Sequence, residues 1–367
     1  MNTLPYVITS RVRLARNVRG HRFPPSASGK ERQAVLEHIQ QAISQDRFFR
    51  RQITVFLDHM PSLERKMLEE RHLISHFSAV HGSSRAVILP EKRRERTVIL
   101  INEEDHVRIQ AFSDGLALQK AWKSAHILDQ HLHQRLEFAV SRHDGYLTTC
   151  PNNTGSGLRA SAMIFVPGLI LLKRIASLIR HCVDAGYTVR GTHGEGSESQ
   201  GYVLQISYQH SRERHTASIL RNLEGICKYL IEHERQARLL LENSLSYGLR
   251  RRMRKAQSSL MSMDAISLQR GLEMIAMLRL AAALGMRSPR YRTRQSLNYQ
   301  LKQLDQLTIR IQPAHIRAYG EQRRQHLHSS PESFDEYAEN RLRATLLQQR
   351  LGRLCLHDLQ NAREKLS

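Results

Sequence analysis

The chain has 367 residues, and 56 Lys and Arg against 34 Asp and Glu give it a formal net charge of +22. That length accommodates two domains with a core each, and the positive balance favours anionic partners such as nucleotides, acidic protein surfaces or nucleic acid. The four cysteines have no CxxC spacing, which argues against a zinc knuckle or disulfide framework. The longest apolar stretch, Ile164 to Leu172, is broken by Pro167 and Gly168 and is too short to span a bilayer, and no leader-like segment opens the chain. A protein of a reducing cytoplasm, without membrane contact, is expected.

In chain order, VITSRVRLARN, Val7 to Asn17, is the first arginine-rich motif. Glu31 to Gln45 carry Val35, Ile39 and Ile43 at helical spacing, which predicts a helix. Thr97 to Ile101 is a short β-branched and apolar run, read as a strand, that leads into INEEDHVRIQ, Ile101 to Gln110. Leu116 to Leu136 predict a second helix through Ala121, Leu128 and Leu132. Asp144-Gly145 signals a turn ahead of the cysteine loop TTCPNNTGSGLRAS, Thr148 to Ser161. RGTHGEGSE, Arg190 to Glu198, precedes a strand expected at Tyr202 to Ser207. From about His215, long amphipathic stretches take over, first Leu220, Leu223, Ile226, Leu230 and Ile231, then Leu268, Leu272, Ile275 and Leu278. The expected organisation is an α+β domain over residues 1–237 and an all-helical domain over 238–367. The densest charge run, Arg250, Arg251, Arg252, Arg254 and Lys255, is read as a solvated helix face or loop.

Gly155-Ser156-Gly157 lacks the lysine and hydroxyl residue of a phosphate-binding loop, so phosphate has to be held another way. Arginine suits that task, because its planar fork binds phosphate oxygens bidentately and stays charged at any working pH. Arg11, Arg13, Arg108, Arg159 and Arg190 come from four separated segments, as convergence on one ligand requires. Each taken singly is an ordinary surface arginine. His72 and His76 stand at i, i+4 and would share a face if their segment is helical; no third ligand is nearby, so no metal site is expected.

Together, SRVR, NEEDHVR, CPNNTGSGLRAS and RGTHGEGSE resemble the phosphagen kinase (ATP:guanido phosphotransferase) family, and within it the bacterial branch that acts on protein arginine. The resemblance runs from Val7 to about residue 237 and continues more weakly beyond. It implies an antiparallel-sheet catalytic domain flanked by helices, and in-line transfer of the γ-phosphoryl of ATP, with Mg²⁺, to arginine side chains in proteins. Carried over by motif, the nucleotide-binding residues are Ser10, Arg11, Val12, Arg13 and Leu14 of the first segment and Arg108 of the second. They continue with Arg159, Ala160, Ser161, Ala162 and Met163 after the cysteine loop, then Arg190, Gly191, Thr192, His193, Gly194 and Glu195, with His72 near the nucleotide. Glu104 and Glu195 are the implied catalytic carboxylates. A guanidinium has a pKa above about 12, so it attacks phosphorus only if oriented and relieved of a proton. Cys150 is the implied active-site thiol against the substrate guanidinium. Asp105 and His106 stay open between support of the site and an ordinary structural role.

In kinases of small guanidino metabolites of this family a helical domain precedes SRVR. Here the motif begins at Ser10, which leads us to expect a site open to an arginine still attached to a protein. The resemblance assigns dimerisation and phosphoarginine recognition to the helical domain. The family's RDxxRA pocket motif has as counterpart Glu339-Asn340-Arg341-Leu342-Arg343-Ala344, so Glu339, Asn340 and Arg343 would form a degenerate pocket in which Glu339 repels phosphoarginine. QISYQHSRERHTAS, Gln205 to Ser218, replaces the family's ISNQ run and is expected to alter loop closure. Implied partners are proteins with exposed arginines, a second copy forming a homodimer, an adaptor or activator and a protease system in a stress response. Nucleic acid is not expected as a substrate. Two other readings stand beside this one: a basic nucleic-acid-binding or regulatory protein that retains a kinase shell, although a single Trp gives it few stacking platforms, and a kinase of a small guanidino metabolite.

Overall fold

The computed structural model describes residues 3–80, 83–90, 96–191, 200–208, 215–244, 251, 255, 258–284, 293–327 and 335–353. Polar and apolar residues alternate from Arg11 to Leu14 within β1 (Val7–Arg16), and this strand lies inside an eight-stranded sheet. It pairs antiparallel with β5 (Val107–Asp114) on one side and β8 (Leu158–Phe165) on the other. Beyond β5 come β4 (Thr97–Ile101), β3 (Ala86–Pro90) and the edge strand β2 (Gln52–Phe56). Beyond β8 come β10 (Val203–Tyr208) and the edge strand β9 (Tyr187–Gly191), again all antiparallel. A small hairpin, β6 (Val140–Ser141) with β7 (Gly145–Tyr146), turns at Asp144-Gly145 as expected, with Gly145 at φ 75°.

One face of the sheet is the main core. Val12 and Leu14, Ile109 and Ala111, and Ala160, Ala162 and Ile164 point there. They pack against α1 (Gly29–Ser44), α4 (Leu118–His133) and α7 (Thr216–Ser244), whose buried stripes include Val35 and Ile39, Ala121 and Leu128, and Leu220 and Leu223. The start of α1 is fixed by a capping box: Ser28 Oγ accepts from Glu31 N at 3.3 Å and the Glu31 carboxylate accepts from Ser28 N at 2.7 Å.

The opposite face is divided among three tenants. Over β3 and β4 lie α2 (Ser62–Glu70) and α3 (His76–Val80), whose Leu68 and Ala79, with Ile74 between them, cover Val87, Val98 and Leu100. At the far end of β8 and β10, Phe165 and Val203 enter a second core with Leu272, Ile275, Leu304, Leu307 and Leu347. Those leucines and isoleucine belong to the helices Leu268–Ala283, Arg294–Arg310 and Glu336–Arg353, which together with Pro313–Leu327 make the helical region. The remaining stretch of this face carries the arginines. The fold is α+β, an antiparallel sheet flanked by helices and followed by helices.

Helix α7 runs through residue 237 without a break, with Ala237 in the first core and Leu241 in the second. The N-terminal segment also stitches the two regions, since Arg279 donates to Leu4 O at 2.8 Å, Pro5 O at 3.1 Å and Asp305 Oδ1 at 2.7 Å. Of the charge run, Arg251 and Lys255 are exposed and Arg250, Arg252 and Arg254 lie outside the described residues. Among the described residues no helix is long and apolar enough to cross a membrane.

Candidate active site

Strand register gathers the arginines. Arg13 is directly opposite Arg159 on β8 and Gln110 on β5; Arg11 is opposite Ser161 and Phe112; Arg108 is opposite Ala15. Arg190 of β9 is opposite Gln205 of β10, which is opposite Met163 of β8. Residues opposite each other in a ladder share a face, and so do alternate residues along a strand. Arg11, Arg13, Arg108, Arg159 and Arg190 therefore project from the same face of the sheet, the one not occupied by the main core.

This concentration of charge is electrostatically costly. Burial, and then Arg108 and Arg159, hold Arg11 down at about 10. Arg13 is pushed well below the usual guanidinium range by burial first and then by Arg11, Arg108 and Arg159, with Glu103 acting the other way. Among the described residues, Arg11 reaches neutral partners, Ser161 Oγ at 3.4 Å and Gln205 Oε1 at 3.3 Å, and the buried Nε of Arg13 has no hydrogen-bond partner. Neither arginine has an ion pair to a carboxylate among the described residues. A polyanion laid across this face would turn the mutual repulsion of these arginines into shared attraction.

The acidic loop lies between β4 and β5. Glu103 and Glu104 both ion-pair with Arg108; Glu103 is buried and the Glu104 side chain is 39% exposed. Asn102 holds the turn at φ 55° and donates to Arg32 O at 2.7 Å and Ser84 O at 2.9 Å. Asp105 and His106 are supports. Asp105 Oδ1 accepts from Asn17 Nδ2 at 2.8 Å and from Thr149 N at 2.7 Å. His106 N donates to Asn17 Oδ1 at 2.9 Å, and its Nδ1 accepts from Val18 N at 3.0 Å, so the neutral ring presents Nε2–H to Arg22 O. Burial pulls its pKa down to about 4, in keeping with a neutral ring.

The same network carries the cysteine loop to the acidic loop. Thr149 Oγ1 donates to Glu104 O at 2.7 Å, and Cys150, half-buried and a free thiol, is the next residue. Asn17 also donates to Leu147 O at 3.1 Å, so one buried amide joins the end of β1, the acidic loop and the cysteine loop.

His72 is in a turn with φ 58°, after α2 has ended, and His76 begins α3 and donates from Nδ1 to Glu69 Oε1 at 2.8 Å. The shared helix face considered for these histidines does not exist, because the left-handed turn separates the two helices. Gln110, on the arginine face, donates to Leu73 O at 2.9 Å and so seats this turn beside the arginines.

The other nucleotide-motif residues divide by strand parity. Val12, Leu14, Ala160 and Ala162 point into the main core, and contribute packing and strand backbone, not side-chain contacts to a ligand on the arginine face. Ser10 is fully buried on that side too, donating to Gly115 O at 2.8 Å and accepting from Ala117 N at 3.0 Å. Ser161 is on the arginine face, and Met163 shares it but leans on the helical core. Gly191 ends β9. Thr192, His193, Gly194 and the implied catalytic Glu195 lie outside the described residues. Motif reading misses Asn17, Glu103, Gln110 and Gln205. The alternation of Gln110 with Ile109 and Ala111 is the one local signal that points to its face.

In the helical region, Arg343 is buried and donates to Ile311 O at 2.9 Å and Ile266 O at 3.0 Å, and it hydrogen-bonds to Asn340 Oδ1. Glu339 is buried as well and accepts from Arg317 Nε at 2.6 Å.

Residues 34–237 match the model of the ATP:guanido phosphotransferase C-terminal catalytic domain. The chain belongs to the ATP:guanido phosphotransferase family. The matched span includes Glu104, Arg108, Cys150, Arg159, Arg190 and Glu195, while β1 with Arg11 and Arg13 precedes it. Relatives named protein-arginine kinase include one from Moorella thermoacetica, 35% identical over 313 residues, which are 84% of this chain and 86% of the relative. Another, from Shouchella clausii, is 33% identical over 347 residues, 94% of this chain and 91% of the relative. Among solved structures, the duplicated taurocyamine kinase from Schistosoma mansoni with bound transition state analog components is 26% identical with a TM-score of 0.55. That match covers 65% of this chain and 33% of the other, so this chain spans about a third of that duplicated protein.

Proposed function

We propose that this kinase transfers the γ-phosphoryl group of ATP in line to a guanidinium nitrogen of arginine side chains in proteins. The observation that carries the reading is the single sheet face on which Arg11, Arg13, Arg108, Arg159 and Arg190 stand together, with Arg13 Nε unpartnered among the described residues. Relatives named protein-arginine kinase that align with most of this chain support a protein acceptor.

In this reading the arginines fix the phosphates, and the acceptor guanidinium lies over Glu104 with Cys150 beside it. One N–P bond forms as the bond from phosphorus to the bridging oxygen breaks; ADP leaves with that electron pair, and the guanidinium proton passes to a carboxylate. Glu195 is assigned as the second carboxylate. Mg²⁺ when bound neutralises phosphate charge, and a cation that keeps several waters and binds mainly through substrate phosphates suits a face lined by arginine. Among the described residues no cluster of three or more His, Cys, Asp or Glu offers a dedicated metal cage.

We assign residues 1–237 to catalysis and 238–367 to a helical domain for dimerisation. The end of the matched catalytic region at residue 237 supports that division. Phosphoarginine recognition by Glu339, Asn340 and Arg343 is weakened in this protein, since a buried acid occupies the motif and the Arg343 fork is already used by two carbonyls. A cytoplasmic location is consistent with Cys150, Cys182 and Cys227 as free thiols. An adaptor and a protease remain proposed partners.

The reading is tested by incubating the protein with Mg-ATP and either an arginine-rich protein or free arginine. Acid-labile phosphate is expected on the protein; label on free arginine alone would identify a metabolite kinase, and label on neither would remove the proposal. A second expectation concerns Arg13. Its charge lowers the stability of the folded state, because burial and neighbouring arginines depress its pKa. Arg13→Met should leave the thermal midpoint unchanged or higher while raising the KM for ATP about tenfold or more, a trade of function against stability. A parallel fall in midpoint and affinity would show that Arg13 serves the fold instead.

A further inference from the structure

The geometry points to Glu70 as a positioning residue for the nucleotide side of the site, acting as a clasp by which the helical region holds the His72 turn in place. This inference rests on the proposed reading of the arginine face. Glu70 is the last residue of α2, and its carboxylate is not directed at the arginines. It accepts three hydrogen bonds from the start of the helix Pro313–Leu327: Ala314 N at 2.7 Å, His315 N at 3.1 Å and His315 Nδ1 at 2.6 Å. A carboxylate bound by free amide donors at a helix N-terminus is a favourable arrangement, because it satisfies those amides and meets the positive end of the helix dipole. The side chains of Glu70 and His315 are only 16% and 13% exposed, so water competes weakly.

The clasp acts through the residues just after Glu70 in the chain. His72 adopts φ 58°, its N donates to Glu69 O at 2.7 Å, and Leu73 N donates to Leu68 O at 2.9 Å, which closes α2 and turns the chain back. Leu73 O then accepts from Gln110, the ladder neighbour of Arg13. The turn is thus tied by Gln110 to the arginine face and by Glu70 to the helical region. A left-handed conformation at a non-glycine residue is sparsely populated unless its surroundings impose it. The helix that receives Glu70 is itself anchored one turn later, where Arg317 Nε donates to Glu339 at 2.6 Å. Its N-terminus is therefore a fixed point and not a loose end. Without the clasp the turn loses its tie to the helical region, and the side chains it presents to a nucleotide lose their fixed height above the arginines.

The test is a graded series: Glu70→Ala removes all three acceptor bonds, Glu70→Gln keeps an acceptor but no charge, and His315→Ala removes only the imidazole bond. Binding of Mg-ADP is measured by titration, and KM for ATP and kcat with an arginine-rich protein. Glu70→Ala is expected to weaken ADP and raise KM for ATP about tenfold with kcat within about twofold. Glu70→Gln and His315→Ala should lie between it and wild type, and exposed Glu64→Ala on the same helix should match wild type. Unchanged ADP affinity in Glu70→Ala would overturn the clasp, as would a fall in kcat and in affinity for both substrates that tracks a lowered thermal midpoint. Wild-type protein that fails to bind ADP would instead remove the reading of the arginine face on which the clasp rests.

Discussion

Glu104→Gln should lower kcat for arginine phosphorylation by about 10² to 10⁴-fold, the usual contribution of a positioned general base, while ADP affinity stays within a few-fold of wild type. The substitution keeps the size and one acceptor oxygen of the side chain but removes its charge and basicity. Glu104 is the more exposed of the two acids on Arg108, which leaves it the one able to meet an incoming guanidinium; Glu103 is buried and keeps its own ion pair with Arg108 in the variant. Arg11, Arg13 and Arg159 have no contact with Glu104 among those described, so the phosphate-binding face is left intact. Steady-state kinetics and ADP titration on the same preparation separate the two effects. A loss of affinity as large as the loss of rate would mean that Glu104 holds Arg108 for the nucleotide and is not the base.

The sequence makes the parts of this site readable but not their assembly. Thr97 to Ile101 is recognisable as a strand because every residue there is β-branched or apolar, and it is β4 with those bounds. The helix expected over Glu31 to Gln45 is α1, Gly29–Ser44, shifted to where Ser28 and Glu31 form a capping box. The strands that carry the arginines escape a reading by motif, although Arg11 to Leu14 alternate polar with apolar residues in a period of two. The charge of Arg11 and Arg13 masks the strand signal that sets them on one face. Register is a long-range property: nothing near Arg13 in the chain says that Arg159 lies opposite. Asn17 and Thr149 are hidden for the same reason, since a buried amide and a hydroxyl acquire their roles only once three distant loops meet. His72 is placed near the nucleotide by resemblance alone, and local periodicity misleads there, because residues at i, i+4 share a face only when no left-handed turn intervenes.

Removing one partner from the buried pair Glu234 and Arg238 should cost about 3 to 5 kcal/mol, because it strands an uncompensated charge in the interior. The Glu234 side chain is fully buried; its carboxylate accepts from Gly168 N at 3.0 Å, Leu169 N at 2.9 Å and Arg238 Nε at 2.6 Å. Arg238 also donates to Phe165 O at 3.2 Å and stacks over Tyr6 at 4.4 Å. Burial raises the Glu234 pKa in spite of Arg238, and burial lowers that of Arg238. The desolvation of each charge thus outweighs what its partner returns. For Glu234 the sign is that of an acid with a raised folded pKa: the cost of ionisation is present above the folded value and disappears as pH falls below the unfolded value. Acid should therefore not unfold the protein through this group. Glu234→Leu leaves Arg238 without its carboxylate and two amides of α5 (Pro167–Leu171) without an acceptor, so the urea midpoint should fall steeply. Glu234→Leu combined with Arg238→Met removes both charges, and should recover a substantial part of the loss, leaving mainly the cost of the two amides. A double variant as unstable as the sum of the singles would mean that the two charges act independently, and that the hydrogen bonds to Gly168, Leu169 and Phe165 are what joins α7 to the sheet.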